Sequence, residues 1–161
     1  MDDRFGFVIL NYRTMDETMD CVKSIDEHIR EAHEIVIVDN ASPDGSGEKL
    51  RQVYDGRDDI KVIINADNLG YSCGNNAGIK QARLDGCRYV VVLNSDTKVM
   101  QDEFCDIVRQ EYRANGYAVI GPQIYKHGIP CCDNPGRDRA MSRFKLHIFI
   151  FMNRVFLALS Y

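Results

Sequence analysis

Asp39, Asn94 and Asp96 stand directly behind strand-like apolar runs. Between them runs a glycine- and asparagine-rich stretch, Asn68-Leu69-Gly70-Tyr71-Ser72-Cys73-Gly74-Asn75-Asn76-Ala77-Gly78. Carboxylate and amide oxygens are the donors that hard divalent cations take. A glycine-rich entry to a helix favours anions, because the free N–H groups of the first turn point at the ligand. In an open α/β sheet, ligands bind outside the carboxyl ends of the parallel strands. Val38-Asp39-Asn40-Ala41-Ser42, the 68–78 stretch and Leu93-Asn94-Ser95-Asp96-Thr97 therefore converge on one crevice. That crevice suits a nucleotide carrying a diphosphate and a metal ion.

The elements that must position these residues are legible from periodicity. Residues 5–10 form a continuous apolar run, as expected for a strand covered on both faces, and Asn11-Tyr12-Arg13 leaves the sheet. Thr14 and Glu17 have capping-box spacing. Met15, Met19, Val22, Ile25 and Ile29 follow at helical intervals, a core stripe. Residues 34–39 give a second strand, and Ser42-Pro43-Asp44-Gly45-Ser46-Gly47 is turn chemistry leading into a helix through Leu50 and Val53. Residues 61–65 read as a third strand and 72–84 as a third helix, entered through a loop whose glycines let backbone approach a ligand or take positive φ. Residues 89–93 are the most hydrophobic strand and are expected at the centre of the sheet. Phe104, Ile107, Val108, Glu111 and Tyr112 mark an amphipathic helix ending near Asn115-Gly116, and residues 118–121 begin a further strand. Strands alternating with helices predict an α/β fold with a doubly wound, mainly parallel sheet.

Bulk properties narrow the function. At 161 residues the chain fits one domain able to bury a core. A net charge of -4 argues against a nucleic-acid partner, since such proteins carry a basic footprint. No basic segment followed by an apolar stretch opens the chain, so no secretory leader is expected. The six cysteines form no Cys-x-x-Cys pair and read as free thiols of a reducing cytoplasm; the vicinal Cys131-Cys132 pair leaves a redox or metal role open. His28, His33, His127 and His147 are scattered and suggest no nucleophilic or zinc site. Residues 123–139 are loop-like. Residues 140–161 form a separate apolar tail with basic punctuation at Arg143, Lys145, His147 and Arg154. Its apolar runs are too short to span a bilayer. We expect an amphipathic C-terminal helix that packs on the domain, pairs with a second copy in a homodimer, or makes peripheral contact with a membrane surface. The apolar pattern still runs at Tyr161, which suggests a longer natural protein.

From residue 7 to about 121 the chain resembles glycosyltransferase family 2, the GT-A, Rossmann-like nucleotide-sugar enzymes of the rhamnosyltransferase-like, bacterial polysaccharide branch. The resemblance rests on Val8-Ile9-Leu10-Asn11-Tyr12, Ile35-Val36-Ile37-Val38-Asp39-Asn40-Ala41-Ser42, Asn68-Leu69-Gly70 with Gly74-Asn75-Asn76-Ala77-Gly78, and Val92-Leu93-Asn94-Ser95-Asp96-Thr97, in that order. It makes residues 1–139 a nucleotide-sugar-binding domain. It also implies a Mg²⁺ or Mn²⁺ ion held at the family's Asp-x-Asp position, here Asn94-Ser95-Asp96. Asp96 is then the metal ligand. Asn94 replaces the first acid and removes one negative charge, which lowers the expected metal affinity. The alternative for Asp96 and Thr97 is capping of a turn. Asp39 stands where the resembling enzymes set an acid against uracil or thymine; a carboxylate accepts the imide N3–H that cytosine lacks. Its alternative is turn formation. Asn11 and Tyr12 fall beside the same base, Asn40 and Ser42 shape the turn with Asn40 counted among the donor-binding residues, and Gly70 and Asn76 are tied to the donor. The glycines, spaced by four, are not a Gly-x-Gly-x-x-Gly fingerprint, and no Walker lysine follows.

The expected function is that of an inverting, metal-dependent glycosyltransferase of hexosyltransferase type. It would move a sugar from a UDP- or dTDP-sugar donor to a saccharide or lipid-linked acceptor. The resembling enzymes carry their general base in a Glu-Asp type motif well beyond the metal motif. After Gly121 the acids are Asp133 and Asp138, and neither matches. The catalytic base is therefore expected beyond Tyr161. The alternative is a non-catalytic nucleotide-binding or interaction module lacking the acceptor and base half. A sugar nucleotidyltransferase would want a glycine-rich basic loop where Leu10-Asn11-Tyr12-Arg13 stands, and ranks last. The expected location is cytoplasmic, with contact to the inner membrane face.

Overall fold

The computed structural model describes residues 3–121, 125–126 and 129–130. The chain divides into two compact units, Met1–Ile107 and Val108–Tyr161. In the first, β1 (Phe5–Asn11), α1 (Met15–His28), β2 (His33–Asp39), α2 (Ser46–Val53), β3 (Ile60–Ile64), α3 (Gly70–Leu84) and β4 (Tyr89–Asn94) alternate, and α4 (Phe104–Asn115) begins. The four strands form one wholly parallel sheet in the order β3-β2-β1-β4. The expected α/β arrangement, a parallel sheet wound with helices, is present.

Strand alternation divides the core between two helical layers. Phe5, Phe7, Ile9, Ile35 and Ile37 are buried with Cys21, Val22 and Ile25 of α1. Val8, Val36 and Val38 form a second cluster with Ala82 of α3 and Cys87. On that second face the glycines of α3 have a packing role. A Cβ at Gly74 would lie 2.6 Å from Leu10 Cδ1, and one at Gly78 would lie 2.4 Å from Val8 Cγ1 and 2.9 Å from Val38 Cγ2. Gly6 of β1 in turn faces Ala82 and Cys87. Spacing by four places Gly74, Gly78 and Ala82 on one helical face and lets α3 lie close against β1 and β2.

Several expectations are corrected. The helix expected from residue 72 begins at Gly70, and Gly74 and Gly78, expected to let backbone approach a ligand, face the sheet from inside it. β4 lies at one end of the described sheet, with Val92 40 % exposed, while β1 and β2 are central and buried. Hydrophobicity alone misplaces β4: the crossover through α3 carries the chain past β2 and β1 to the far side. Residues 118–121 form no strand, and Val119 is 79 % exposed; a short apolar run needs a paired edge, and no described strand supplies one. Thr14 precedes α1 but makes no side-chain cap, because its hydroxyl bonds elsewhere.

In the second unit α4 ends at Asn115, followed by Gly116 at φ +63 with its N–H on the Tyr112 carbonyl, 2.7 Å. A short antiparallel pair joins β5 (Tyr125–Lys126) to β6 (Ile129–Pro130). The Cys131-Cys132 pair, the tail over 140–161 and the boundary at 139 lie outside the described residues. No described helix is long and apolar enough to cross a membrane.

Candidate functional site

The strand order reverses between β1 and β4, so the ligand crevice of such a sheet opens at the carboxyl ends of these strands. Asn11 and Asp39 are register partners at the ends of β1 and β2. Both are buried, at 0 % and 1 % exposure. A buried carboxylate is tolerated only when hydrogen-bonded, and Asp39 is: Oδ1 accepts from Asn11 Nδ2 at 2.6 Å and Ser46 Oγ at 3.4 Å, and Oδ2 from the Ser42 N–H at 2.9 Å. Asn11 Nδ2 also donates to Ser46 Oγ at 3.0 Å, and its Oδ1 accepts from Thr18 Oγ1 at 3.0 Å and Thr14 Oγ1 at 3.3 Å. Gly47 admits the carboxylate, since a Cβ there would lie 2.7 Å from Asp39 Cγ.

Among the described residues two non-glycines take the left-handed conformation, Arg13 at φ 61 and Ala41 at φ 59, one in each turn leaving β1 and β2. Such backbone persists where surroundings enforce it. Ser42 does so for both: its N–H reaches Asp39, and its Oγ accepts the Arg13 N–H at 3.0 Å. Tyr12, which precedes Arg13, is exposed.

Asn40, also buried, gathers the other layer. Its Nδ2 donates to Asn68 Oδ1 at 2.8 Å and the Gly70 carbonyl at 3.3 Å, and its Oδ1 accepts from Asn65 Nδ2 and the Leu69 N–H, both at 3.1 Å. Gly70, at φ +73, opens α3 beside this hub. Asn76 is exposed on the same helix, whereas its neighbour Asn75 is buried, with Nδ2 on the Tyr71 carbonyl at 3.0 Å and an Oδ1 that has no partner.

At the end of β4, Asn94 is exposed and its Oδ1 accepts from the Tyr71 hydroxyl at 2.8 Å. The turn after it is fastened to α1: the Thr14 and Ser95 hydroxyls bond at 3.0 Å, Lys98 pairs with Asp20 at 2.8 Å, and the Val99 N–H reaches Ser24 Oγ at 3.0 Å. Asp96 is exposed, hydrogen-bonded to no other described group. Burial pushes the Cys21 thiol of α1 up to about 12, and the charge of Asp96 adds to that rise. One open carboxylate at this end of the sheet fits a magnesium- or manganese-type ion, which takes one or two carboxylates and completes its shell with phosphate oxygens and water.

A second acidic group, Asp26, His33 and Asp59, brings its ligand atoms within 4.8 Å of one another at the opposite end of the strands. Arg57 already fills it, with Nη2 3.0 Å from Asp26 Oδ1 and 2.7 Å from Asp59 Oδ2. The guanidinium supplies the positive charge that a metal would bring.

Of the residues expected at the site, Asn11, Asp39 and Asn40 form the buried hubs. Tyr12, Gly70, Asn76, Asn94 and Asp96 are exposed. The sequence reading missed Thr14, Thr18, Ser46, Asn65, Tyr71 and Ser95. Thr14 and Ser46 carried a signal as cap and turn formers, and Tyr71 and Ser95 as members of the polar stretches at the strand ends.

The sequence matches the profile of glycosyl transferase family 2 over residues 7–158. It is 31 % identical over 145 residues to the low-salt glycan biosynthesis hexosyltransferase Agl10 of Haloferax volcanii, covering 89 % of this chain and 44 % of the relative. It is 32 % identical over 96 residues to a poly-beta-1,6-N-acetyl-D-glucosamine synthase of Staphylococcus aureus, covering 60 % of this chain and 22 % of that protein. The fold is shared with S. aureus TarS 1-349 in complex with UDP-GlcNAc, at a TM-score of 0.57 and 18 % identity, over 76 % of this chain and 38 % of TarS. It is shared equally with the mannosyltransferase PcManGT of Pyrobaculum calidifontis in complex with GDP-Man and Mn2+, at a TM-score of 0.58 and 18 % identity, over 67 % of this chain and 32 % of that one. The chain thus spans less than half the length of these relatives.

Proposed function

This chain belongs to glycosyl transferase family 2, and on that premise we propose that it binds the donor of an inverting, metal-dependent glycosyl transfer, a UDP- or dTDP-sugar. The observation that carries the reading is the meeting, at one sheet end, of three features: the Asn11–Asp39 hub, the α3 start at Gly70 and the open carboxylate of Asp96. In this reading the base lies over Tyr12. Its imide N–H is taken by the acceptor position left on Asp39 Oδ2, which the Ser42 N–H leaves half used. The diphosphate lies toward the start of α3, with Gly70 and Asn76. Asp96 would hold Mg²⁺ or Mn²⁺, which on binding neutralises the charge that develops on the leaving diphosphate.

The acceptor, a saccharide or lipid-linked hydroxyl, attacks the anomeric carbon from the face opposite the diphosphate. The new C–O bond forms as the bond to the phosphate oxygen breaks, so the configuration inverts. The acceptor proton goes to a general base outside the residues named here. A lipid-linked acceptor would bring the reaction to the cytoplasmic face of a membrane.

A second reading, a nucleotide-binding module without transfer, is favoured by the Asn94 amide standing where the family has an acid. Calorimetry with UDP and dTDP, with and without Mn²⁺, tests donor binding, and absence of any binding overturns it. Release of UDP from a UDP-sugar in the presence of acceptor lipid extracts separates enzyme from module.

A further inference from the structure

Asn94 and Asp96 are two residues apart in the chain, yet Asn94 and the turn that carries Asp96 are fastened to opposite helical layers. Val90 packs in the cluster beneath α3, so the alternation of β4 puts Val92 and Asn94 on that face. There Asn94 Oδ1 receives the hydroxyl of Tyr71, from the first turn of α3, at 2.8 Å. Tyr71 is held in turn, its carbonyl taken by the buried Asn75 Nδ2 at 3.0 Å. The turn at Ser95-Asp96 swings the other way: Ser95 is tied to Thr14, and the Val99 N–H just beyond it to Ser24 of α1.

An amide has one oxygen and one NH₂ group, and a partner on the oxygen fixes which way the NH₂ points. We propose that Tyr71 is a positioning residue that takes the carbonyl oxygen of Asn94 and turns its NH₂ toward the donor's diphosphate, leaving Asp96 as the charged ligand of the metal. The pair is thus an anion-binding clasp in the place of a second metal-binding acid. This deepens the donor-binding reading given above and rests on it.

The clasp and a metal-ligand role for Asn94 differ in one measurable respect. An N–H donated to phosphate works without metal, whereas a carbonyl ligand works only through the metal. Calorimetry of UDP and of uridine with the wild type, Tyr71→Phe, Asn94→Ala and the double variant, each in EDTA and in Mn²⁺, separates them. Tyr71 is 59 % exposed, so the loss of its hydroxyl leaves the fold intact.

Tyr71→Phe is expected to weaken UDP roughly tenfold in EDTA, the scale of a hydrogen bond to a charged group, and by the same factor in Mn²⁺. Uridine, which lacks the diphosphate, should bind unchanged, and the double variant should be no worse than Asn94→Ala. A loss confined to Mn²⁺ overturns the clasp, as does an equal loss for uridine, an additive double variant, or a Tyr71→Phe chain that binds UDP like the wild type. A wild type that binds no nucleotide overturns the donor-binding reading itself, and with it this inference.

Discussion

Gly78→Ala tests the closeness of α3 to the sheet. The added Cβ would lie 2.4 Å from Val8 Cγ1 and 2.9 Å from Val38 Cγ2, against an optimal carbon separation of roughly 3.5–4.0 Å. Neither valine can yield. Both are wholly buried, Val8 is hydrogen-bonded in β1 between β2 and β4, and β-branched side chains have few alternative rotamers. The helix must therefore retreat by on the order of 1 Å. Overpacking of this kind costs about 1–3 kcal/mol, while the better helix propensity of alanine returns up to about 1 kcal/mol. The net expectation is a loss of about 1–2 kcal/mol, a fall of about 0.5–1 M in the urea midpoint for a slope of about 2 kcal/mol/M. Gly74→Ala is the internal control: its Cβ crowds only the Leu10 Cδ1 tip at 2.6 Å, on a partly exposed, flexible side chain, and touches Asn40 Cγ and Oδ1 at an ordinary 3.4 Å, so its stability should stay within about 0.5 kcal/mol of wild type. Because α3 carries Gly70 and Tyr71, its displacement should also weaken UDP binding. A Gly78→Ala chain as stable as Gly74→Ala would refute the packing argument.

Asp96→Ala should abolish the Mn²⁺ dependence of nucleotide binding while stability stays within about 0.5 kcal/mol, the side chain being exposed; an unchanged Mn²⁺ dependence in calorimetry removes it from the metal site. Asp39→Ala strips the acceptor from Asn11 Nδ2 and the Ser42 N–H, which should lower stability by about 1–3 kcal/mol and weaken UDP more than CDP. Equal losses for the two nucleotides would leave Asp39 a turn former only. At the other end of the sheet, burial and a hydrogen bond with Asp85 raise the pKa of Glu34, and that same bond holds Asp85 down to about 2. Lys61 Nζ lies 3.3 Å from Glu34 Oε1, near enough for attraction though not aligned as a hydrogen bond. A raised acid favours the fold while protonated, so its contribution is complete below the unfolded value, about 4.3, and fades as pH rises through the folded one. A lowered acid contributes above its unfolded value and loses that as pH falls toward about 2. Glu34→Gln keeps a donor to Asp85 without the proton. Its stability relative to wild type should rise between pH 4 and pH 8 in urea titrations, and a relative fall would mean that the ionised pair with Lys61 dominates.

The alternation of apolar runs made the element types and the parallel sheet legible, and the polar strand ends pointed to the crevice. What stayed hidden are contacts across long sequence separations. Thr14 and Glu17 have the spacing of a capping box, yet the Thr14 hydroxyl is claimed by Ser95, which lies 81 residues further on. The Tyr71–Asn94 bond depends on α3 returning the chain to the edge of β1, an outcome that no local pattern carries. Gly70, Gly74 and Gly78 show the reverse case: a spacing of four is the signature of a helix face, and the abundance of glycine obscured it.

Asp39 and Asn40 are adjacent, so β alternation turns them to opposite faces of the sheet. Asp39 gathers the α1/α2 side, through Asn11, Ser42 and Ser46. Asn40 gathers the α3 side, through Asn65, Asn68, Leu69 and Gly70. One strand end thereby fixes both walls of the crevice. The turn holding Asp96 is fastened to the first wall through Thr14, and Asn94 to the second through Tyr71. A ligand between the walls meets groups already oriented by internal hydrogen bonds, so binding costs little ordering of side chains. The exposed groups are then free for recognition, because the buried ones carry the geometry.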